Sequence, residues 1–321
     1  MTRPRDEIRN FVASVHNRLL ALARERGSDF NLMLQRYATE RFLYRLGLSS
    51  EVDRFVLKGA ALFLVWAGTE FRASGDVDFL AIAPADHTTL RHSLEAICAV
   101  AYEEDGLLFD PASIRIADIR EDQEYGGVRV KLRPRLGNAV LPLQVDIGFG
   151  DVITPDRQEA DYPTLLDHPA PRLWTYPRET AVAEKFETMV RKGRSNSRMR
   201  DFWDVAALAQ HFDFDGESLS NAIMETFRRR GTPLGGDPPD ALRPAFYEDG
   251  DRIAQWEAFQ RSAGAVVDAP TRFAAAGEIV RAFLGLVRES LIRDDPFTQV
   301  WRAGGPWQPE VHQIAGGTSG I

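Results

Sequence analysis

Two aspartates, Asp76 and Asp78, stand two residues apart at the start of an apolar stretch. In an extended strand, residues i and i+2 point to the same side, so both carboxylates would project from one face. Val77 and the run from Phe79 to Ile82 would anchor the strand in a core. Adjacent anions repel each other unless a cation lies between them, and the usual occupant is a hard divalent ion with oxygen ligands. The pair therefore indicates metal-dependent phosphoryl chemistry.

A third acid, Asp146, stands in the middle of an apolar stretch that covers residues 143–149. An aspartate inside a buried strand is costly unless it is paired or binds a metal ion. We expect Asp146 to lie on a neighbouring strand and to face the first pair, so that three carboxylates hold one or two Mg²⁺ ions. One carboxylate could also accept the proton of an attacking hydroxyl. The alternative is structural, with Asp146 capping a turn or pairing with Arg129 or Lys131.

Two lysines stand where they could meet an anionic ligand. Lys58 and Gly59 lie at a predicted strand-to-helix junction, where free backbone N–H groups can hold phosphate oxygens and glycine lets the ligand approach. Lys185 shares the apolar face of a predicted helix with Val182 and Met189, at spacings of i−3 and i+4. A lysine in that position either extends its charge along the surface to water or contacts an anionic ligand. We favour the ligand.

Further along the chain, Asp201 and Asp204 share one face of a predicted helix by i, i+3 spacing. We interpret them as a late acidic motif of the same site. The alternative for Asp201 is a role at the helix N-terminus, as a cap or as an acid favoured by the helix dipole. The two roles could coexist.

The segment 191–200 is strongly basic and contains no acid. Its five cations are Arg191, Lys192, Arg194, Arg198 and Arg200. Such a cluster, close in sequence to Lys185 and Asp201, could hold an RNA backbone electrostatically. The alternative is a solvated helix end or loop without a nucleic-acid ligand. For the arginine triplet at 228–230, the two interpretations are equally favoured.

Bulk properties limit the class of protein. The net charge of −8 argues against a protein that coats nucleic acid along its whole surface. The single cysteine, Cys98, excludes an internal disulfide and a cysteine-cluster metal site, and its apolar neighbours predict a core position. The apolar runs are shorter than the ~20 residues of a membrane span, and the N-terminus lacks the apolar segment of a signal peptide. We expect a cytoplasmic protein without a membrane partner.

Periodicity predicts the order of elements. Helices are predicted over 6–48 with a break at 27–29, and over 60–67 and 88–100, followed by several strands in 113–150. Prolines mark an irregular crossing over 155–177, after which helices are predicted over 179–192, 199–211, 217–229, 251–266 and 270–292. This order predicts an α+β catalytic domain followed by an α-helical domain, with a ligand cleft between them.

The expected domain boundaries follow from this order. N-terminal helices over residues 1–50 should pack on the α+β catalytic domain over 51–170. A helical domain should cover 171–303, and a loosely ordered tail should follow over 304–321.

Taken together, these motifs resemble the AbiEii/AbiGii-type nucleotidyltransferase toxins, the group that includes the MenT toxins. The resemblance is carried by residues 55–62, 72–79, 145–150, 184–185 and 200–205, and by the helical segment 226–232. It covers the chain from about residue 40 to about residue 235. The first half of the motif set is specific only in combination.

The resemblance implies a DNA polymerase β-like nucleotidyltransferase fold with a mixed sheet. It implies that Asp76 and Asp78 bind Mg²⁺ and that Asp146 completes the acid set. By the same likeness, residues Lys58, Gly59, Ser74 and Lys185 would contact the triphosphate, and Asp201 or Asp204 would serve the late acidic motif.

Two positions near these motifs add detail. Ala60 departs from the family, which often has a second glycine or a serine there, so a hydroxyl contact at that point is missing. Ser74 matches a position that in related toxins can be phosphorylated by the antitoxin or by the toxin itself. A phosphate at Ser74 would add negative charge against the metal site and block nucleotide binding.

The function that the resemblance implies is transfer of a nucleoside monophosphate from an NTP to an RNA acceptor, above all the tRNA 3′ end, which would block translation. A cognate antitoxin is the implied protein partner. One alternative is a small-molecule nucleotidyltransferase of the aminoglycoside type, whose acidic pocket would suit the net charge of −8. Another is a binding protein that keeps the fold without turnover, although such a protein has no physical reason to retain three clustered acids.

Overall fold

The computed structural model describes residues 5–69, 75–119, 126–263 and 270–310. Within these ranges the chain forms two compact units. The first unit contains the described residues up to Asp151 together with Asp156–Pro177. The second contains Val152–Pro155, Arg178–Ser262 and the described residues from 270 onward.

The first unit combines helices with two sheets. Its helices are α1 (Arg5–Arg26), α2 (Phe30–Leu48), α3 (Leu62–Ala67) and α4 (His87–Ala99). Its strands are β1 (Phe55–Lys58), β2 (Asp76–Ala81), β3 (Leu107–Leu108), β4 (Arg115–Ile119), β5 (Gly127–Leu132), β6 (Arg135–Leu136), β7 (Ala139–Val140), β8 (Leu143–Phe149), β9 (Gln158–Asp161) and β10 (Arg172–Thr175).

The larger sheet has the strand order β4-β5-β8-β2-β1-β10-β9. The pairs β2–β8 and β1–β10 are parallel, whereas the other neighbours are antiparallel. The second sheet is small and has the order β3-β6-β7. The predicted α+β class with a mixed sheet is therefore confirmed.

Alternation along the central strands separates an apolar face from a polar one. Val77 on β2 and Val145 on β8 are buried in the core, at 2% and 1% exposure. The half-buried residues between them are Asp76, Asp78 and Asp146, which belong to the opposite face. The sequence pattern thus fixes which face of the sheet carries the acids.

A buried charge network ties α2 to the loops around it. The guanidinium of Arg45 donates hydrogen bonds to both carboxylate oxygens of Asp105, and the shorter one is 2.6 Å between Nη1 and Oδ2. Glu40 accepts a hydrogen bond of 2.7 Å from the backbone N–H of Leu165 and one of 3.2 Å from Arg41. All four charged side chains are almost fully buried. Their mutual contacts lower the cost of removing the charges from water.

The second unit is mainly helical. Its helices are α5 (Arg178–Lys192), α6 (Met199–His211), α7 (Gly216–Arg230), α8 (Pro244–Tyr247), α9 (Gly250–Ala263) and α10 (Phe273–Arg293). Three short strands form an antiparallel sheet, β11 (Phe214–Asp215), β12 (Gln299–Trp301) and β13 (Trp307–Pro309). Aromatic side chains fill its core, with Phe202 stacked on Phe246 and Trp256 stacked on Phe273.

Two expectations from the sequence need correction. The stretch 155–177 is not simply an irregular crossing, because it contains β9 and β10, and β10 extends the large sheet in parallel with β1. The tail is ordered at its start, because β13 pairs with β12 and the indole N–H of the buried Trp307 donates to the carbonyl of Phe283 at 2.8 Å. Residues 311–321 of the expected tail lie outside the described residues.

Cys98 is buried, as the sequence predicts. In the part of the chain that the structure describes, no helix has both the length and the apolar character that a membrane crossing requires.

Candidate active site

Three carboxylates share one face of the large sheet. Asp78 on β2 stands directly opposite Asp146 on β8 in the parallel pairing, and Asp76 stands opposite Gln144. Residues that are opposite each other on neighbouring strands point to the same side, and residues two apart on one strand do so as well. The expected gathering of these acids on one face is therefore present in the backbone register.

Arg129 binds the third carboxylate, that of Asp146. It lies on β5, opposite Asp146, and its Nε and Nη2 atoms bind Oδ1 and Oδ2 at 2.9 Å and 2.6 Å. This two-point ion pair is the structural alternative that the sequence left open. Among the described residues, no group of three or more histidine, cysteine or acidic side chains is arranged to hold a metal ion. In this structure Asp146 is paired with Arg129, and the expected three-carboxylate metal site stays a prediction.

Asp76 and Asp78 still have the chemistry that a divalent ion requires. Mg²⁺ is commonly held by one or two carboxylates together with water and the phosphate oxygens of a substrate. Two half-buried carboxylates on one face of β2 fit that donor set. Residues 70–74, which include Ser74, lie outside the described residues, so both roles expected of Ser74 stay predictions.

Gly59 allows a close approach between β1 and the second acid. It follows the last residue of β1 and has a φ of +76°, a backbone conformation that glycine adopts without strain. A Cβ atom at this position would collide with the Oδ2 atom of Asp78. The predicted strand-to-helix junction is present, with Gly59–Ala61 forming a short 3₁₀ turn before α3.

Lys58 lies on the same face as the acids, since it stands opposite Asp78 in the antiparallel pairing of β1 with β2. Its Nζ atom is 3.3 Å from Oδ2 of Asp151 and 5.2 Å from the centre of the Tyr176 ring. No motif in the sequence singles out Asp151 or Tyr176, although Asp151 is separated from the end of β8, the strand of Asp146, by Gly150 alone.

In the second unit, Lys185 meets the two acids of the late motif. Its Nζ atom is 2.7 Å from Oδ2 of Asp204 and 3.3 Å from Oδ1 of Asp201. Arg198 binds the other oxygen of Asp201 at 2.6 Å through Nε. Asp201 and Asp204 are fully buried, whereas the Lys185 side chain keeps 17% of its surface exposed. The two acids therefore hold the ammonium of Lys185 in place.

Asp201 also lies in the first turn of α6, where the helix dipole favours an acid. The structural role that the sequence offered as an alternative is thus combined with the contact to Lys185.

Glu187, two residues after Lys185, anchors α5 to the end of α7. Its fully buried carboxylate accepts hydrogen bonds from Arg230 at 2.8 Å, from Arg191 at 3.0 Å and from Thr232 at 2.6 Å. Sequence reasoning missed this carboxylate. Its signal was an acid on the apolar side of the helix that carries Lys185, together with the arginine run at the end of α7.

The five cations of 191–200 are used unequally. Arg191 and Arg198 are engaged by Glu187 and Asp201 through their side chains. Arg194 and Arg200 are exposed, and Lys192 is half-buried. Arg191 and Arg198 thus have structural contacts within the second unit, in addition to any contact with RNA.

Comparison with known proteins identifies similar structures and a matching family. The fold is similar to that of MenT4, the nucleotidyltransferase toxin Rv2826c from Mycobacterium tuberculosis H37Rv, at 17% identity and a TM-score of 0.51, over 88% of this chain and 89% of that one. JHP933 from Helicobacter pylori is also similar, at 14% identity and a TM-score of 0.45, over 83% of this chain and 95% of that one. No curated protein matches this chain.

The family model described as the nucleotidyl transferase AbiEii toxin of a type IV toxin–antitoxin system matches residues 41–278. This range includes the three acids of the first unit as well as Lys58, Lys185 and the late acidic pair. Since the match extends over most of the 321 residues, the chain belongs to the AbiEii family of nucleotidyltransferase toxins.

Proposed function

We propose that this protein transfers a nucleoside monophosphate from an NTP to the 3′ end of tRNA, releases pyrophosphate and so blocks translation. The observation that carries the proposal is the shared face of Asp76, Asp78 and Asp146, with Lys58 opposite Asp78. Carboxylates and an ammonium on one face suit a bound metal–triphosphate, because they match both its cation and its anionic oxygens.

Asp76 and Asp78 would hold a divalent ion, for which we propose Mg²⁺. When bound, such an ion neutralises charge on the phosphoryl oxygens. Asp146 would complete the acid set, or accept the proton of the attacking hydroxyl, once its ion pair with Arg129 opens. Gly59 leaves room for the Asp78 carboxylate beside the end of β1, and we propose that its backbone N–H contacts the triphosphate.

Lys58 and Lys185 would supply ammonium groups to the triphosphate. Asp201 and Asp204 act on Lys185, since both buried carboxylates lie within hydrogen-bonding distance of its Nζ atom. We assign them a positioning role, because a fully buried carboxylate that already binds an ammonium has no exposed surface to offer a substrate.

The exposed Arg194 and Arg200, with Lys192, would hold the RNA backbone. Arg191 and Arg198 would assist while keeping their intramolecular pairs. Membership of a toxin–antitoxin family implies an antitoxin as partner. We place the reaction in the cytoplasm, where NTPs and tRNA occur, and we retain Ser74 as a candidate phosphorylation site.

The transferase proposal is tested by incubating the purified protein with each radiolabelled NTP, Mg²⁺ and total tRNA. Label should enter tRNA from a preferred NTP, and periodate oxidation of the tRNA 3′ end should abolish the transfer. Asp76→Asn and Asp78→Asn should each lower the rate at least about a hundredfold. Label on an aminoglycoside but not on RNA would favour the small-molecule alternative, and no transfer to either would overturn the proposal.

A growth experiment separates catalysis from binding. Expression of the wild-type protein without its antitoxin should arrest growth, and Asp76→Ala should restore it. An equally toxic Asp76→Ala protein would support the non-catalytic alternative. Mass spectrometry after co-expression with the antitoxin tests Ser74, and a site that is never modified would remove that part of the proposal.

A further inference from the structure

Asp151 contacts a lysine of the proposed triphosphate site without belonging to any motif described above. Its Oδ2 atom is 3.3 Å from Nζ of Lys58, and the side chains are only 14% and 18% exposed. A partly buried ion pair is screened less by water than a surface pair, so each member restricts the position of the other.

The Lys58 side chain reaches across a whole strand to make this contact. β2 lies between β1, which carries Lys58, and β8. The Nζ atom is nevertheless only 3.9 Å from the position that a Cβ atom on Gly148 of β8 would take. Gly148 is two residues after Asp146 and therefore lies on the carboxylate face. The ammonium is thus held above β8, on the face of the three acids.

Tyr176 supports the same position from another side. Its ring centre is 5.2 Å from the Lys58 ammonium, within the range of a cation–π contact. The backbone N–H of Tyr176 donates to the carbonyl of Leu57 at 3.0 Å, which fixes the backbone of Tyr176 beside β1. Tyr176 itself is 1% exposed and cannot readily move away. A carboxylate and an aromatic face therefore hold the ammonium together.

We propose that Asp151 is a positioning residue that holds the Lys58 ammonium on the carboxylate face in readiness for the triphosphate. The inference rests on the proposed function, since it assigns Lys58 to the NTP. An ammonium has three N–H donors, so it can keep its contact with Asp151 while it donates to phosphate oxygens. Binding then avoids the loss of side-chain freedom that a mobile lysine would suffer.

Equilibrium binding in Mg²⁺ buffer tests the proposal with an NTP analogue whose α,β bridge is a methylene group. Four full-length proteins are compared, namely the wild type, Asp151→Asn, Lys58→Met and the double variant. Asp151→Asn should raise the Kd about five- to tenfold in the wild-type background. In the Lys58→Met background, the same change should alter the Kd by less than about twofold, because its target is gone.

Glu159→Gln is the matched control, since Glu159 lies on the edge strand β9 of the same sheet and forms an ion pair with Arg172 on β10. This variant should bind the analogue as the wild type does. Thermal unfolding of each variant shows whether the fold is retained. An unchanged or tighter Kd for Asp151→Asn would overturn the positioning role, as would an equal effect in both backgrounds.

A second readout does not depend on nucleotide. In ¹⁵N-edited NMR spectra, the Lys58 ammonium of the wild type should give an observable signal that Asp151→Asn abolishes, because the pair slows exchange of its protons. A signal that persists in the variant would overturn the proposal. If the wild type showed this signal but bound no NTP analogue, the proposed function would fail while the ion pair's effect on Lys58 stood.

Discussion

Arg129 binds both oxygens of Asp146, at 2.9 Å and 2.6 Å, on the face of the sheet where Asp76 and Asp78 would hold a metal ion. A guanidinium and a divalent cation compete for the same lone pairs of a carboxylate. The Asp146 carboxylate is mostly buried and Arg129 is 41% exposed, so the cation is the member of the pair that can leave.

The first prediction concerns this competition. Arg129→Met should lower the Mg²⁺ concentration that gives half-maximal nucleotidyl transfer by about three- to tenfold, since Asp146 becomes available as a ligand. The measurement is a metal titration at saturating NTP. Arg172→Met, which removes a partner of Glu159 at the sheet edge, should leave the metal requirement unchanged. A higher metal requirement for Arg129→Met would indicate that the arginine supports the site.

The second prediction concerns the stability of the Lys185 cluster. Lys185→Met removes an ammonium from two fully buried carboxylates and should lower the free energy of unfolding by about 3 kcal/mol. Urea unfolding at neutral pH measures the change. Lys192→Met, in the last turn of the same helix, should stay within about 0.5 kcal/mol of the wild type. A loss below about 1 kcal/mol for Lys185→Met would show that the ammonium does little to stabilise the two buried acids.

The third prediction concerns pH. Burial raises the pKa of Glu40 from 4.5 to about 7, against the opposing effects of the hydrogen bonds from Leu165 and Arg41. Between these two pH values the folded protein holds a proton that the unfolded chain has released. The free energy of unfolding therefore falls as the pH rises through this window, by up to about 1.4 kcal/mol per unit from this group.

Glu40→Gln stays neutral at every pH and should flatten that dependence. Urea unfolding at pH 5, 6, 7 and 8 would show a slope for the wild type that is reduced in the variant. The interpretation is wrong if both proteins lose stability with the same slope over this range.

The fourth prediction concerns the RNA acceptor. Changing the exposed Arg194 and Arg200 to glutamate should weaken tRNA binding and lower its dependence on salt by about one unit of slope for each lost phosphate contact. NTP binding should change by less than about twofold. Arg261→Glu is the control and should leave tRNA binding unchanged, because Arg261 is an exposed arginine of the same unit that lies outside both basic segments. Equal losses of tRNA and NTP affinity would count against an RNA surface at this segment.

Local spacing predicts much of the candidate site. The i, i+2 spacing places Asp76 and Asp78 on one face of β2, and the i, i+3 spacing places Asp201 and Asp204 where both reach Lys185. These relationships depend only on the geometry of a single strand or helix, so they can be derived without knowledge of the rest of the fold.

Relationships across distant parts of the chain are harder to derive. β10 lies in a proline-rich stretch, and only its parallel pairing with β1, more than a hundred residues earlier, makes it a strand. The choice of Asp146 between a metal ion and Arg129 depends on the register of β5 with β8. The contact of Asp151 with Lys58 crosses one intervening strand of the sheet, β2. Spacing along the sequence encodes none of these pairings.

The close approach of the Asp78 carboxylate to Gly59 has a practical consequence. The Gly59→Ala change adds a single methyl group that would collide with the Asp78 carboxylate. We expect this variant to be inactive, although none of its core residues is changed. Such a harmless version could be produced in quantity in living cells and used as bait to capture the antitoxin that normally restrains it.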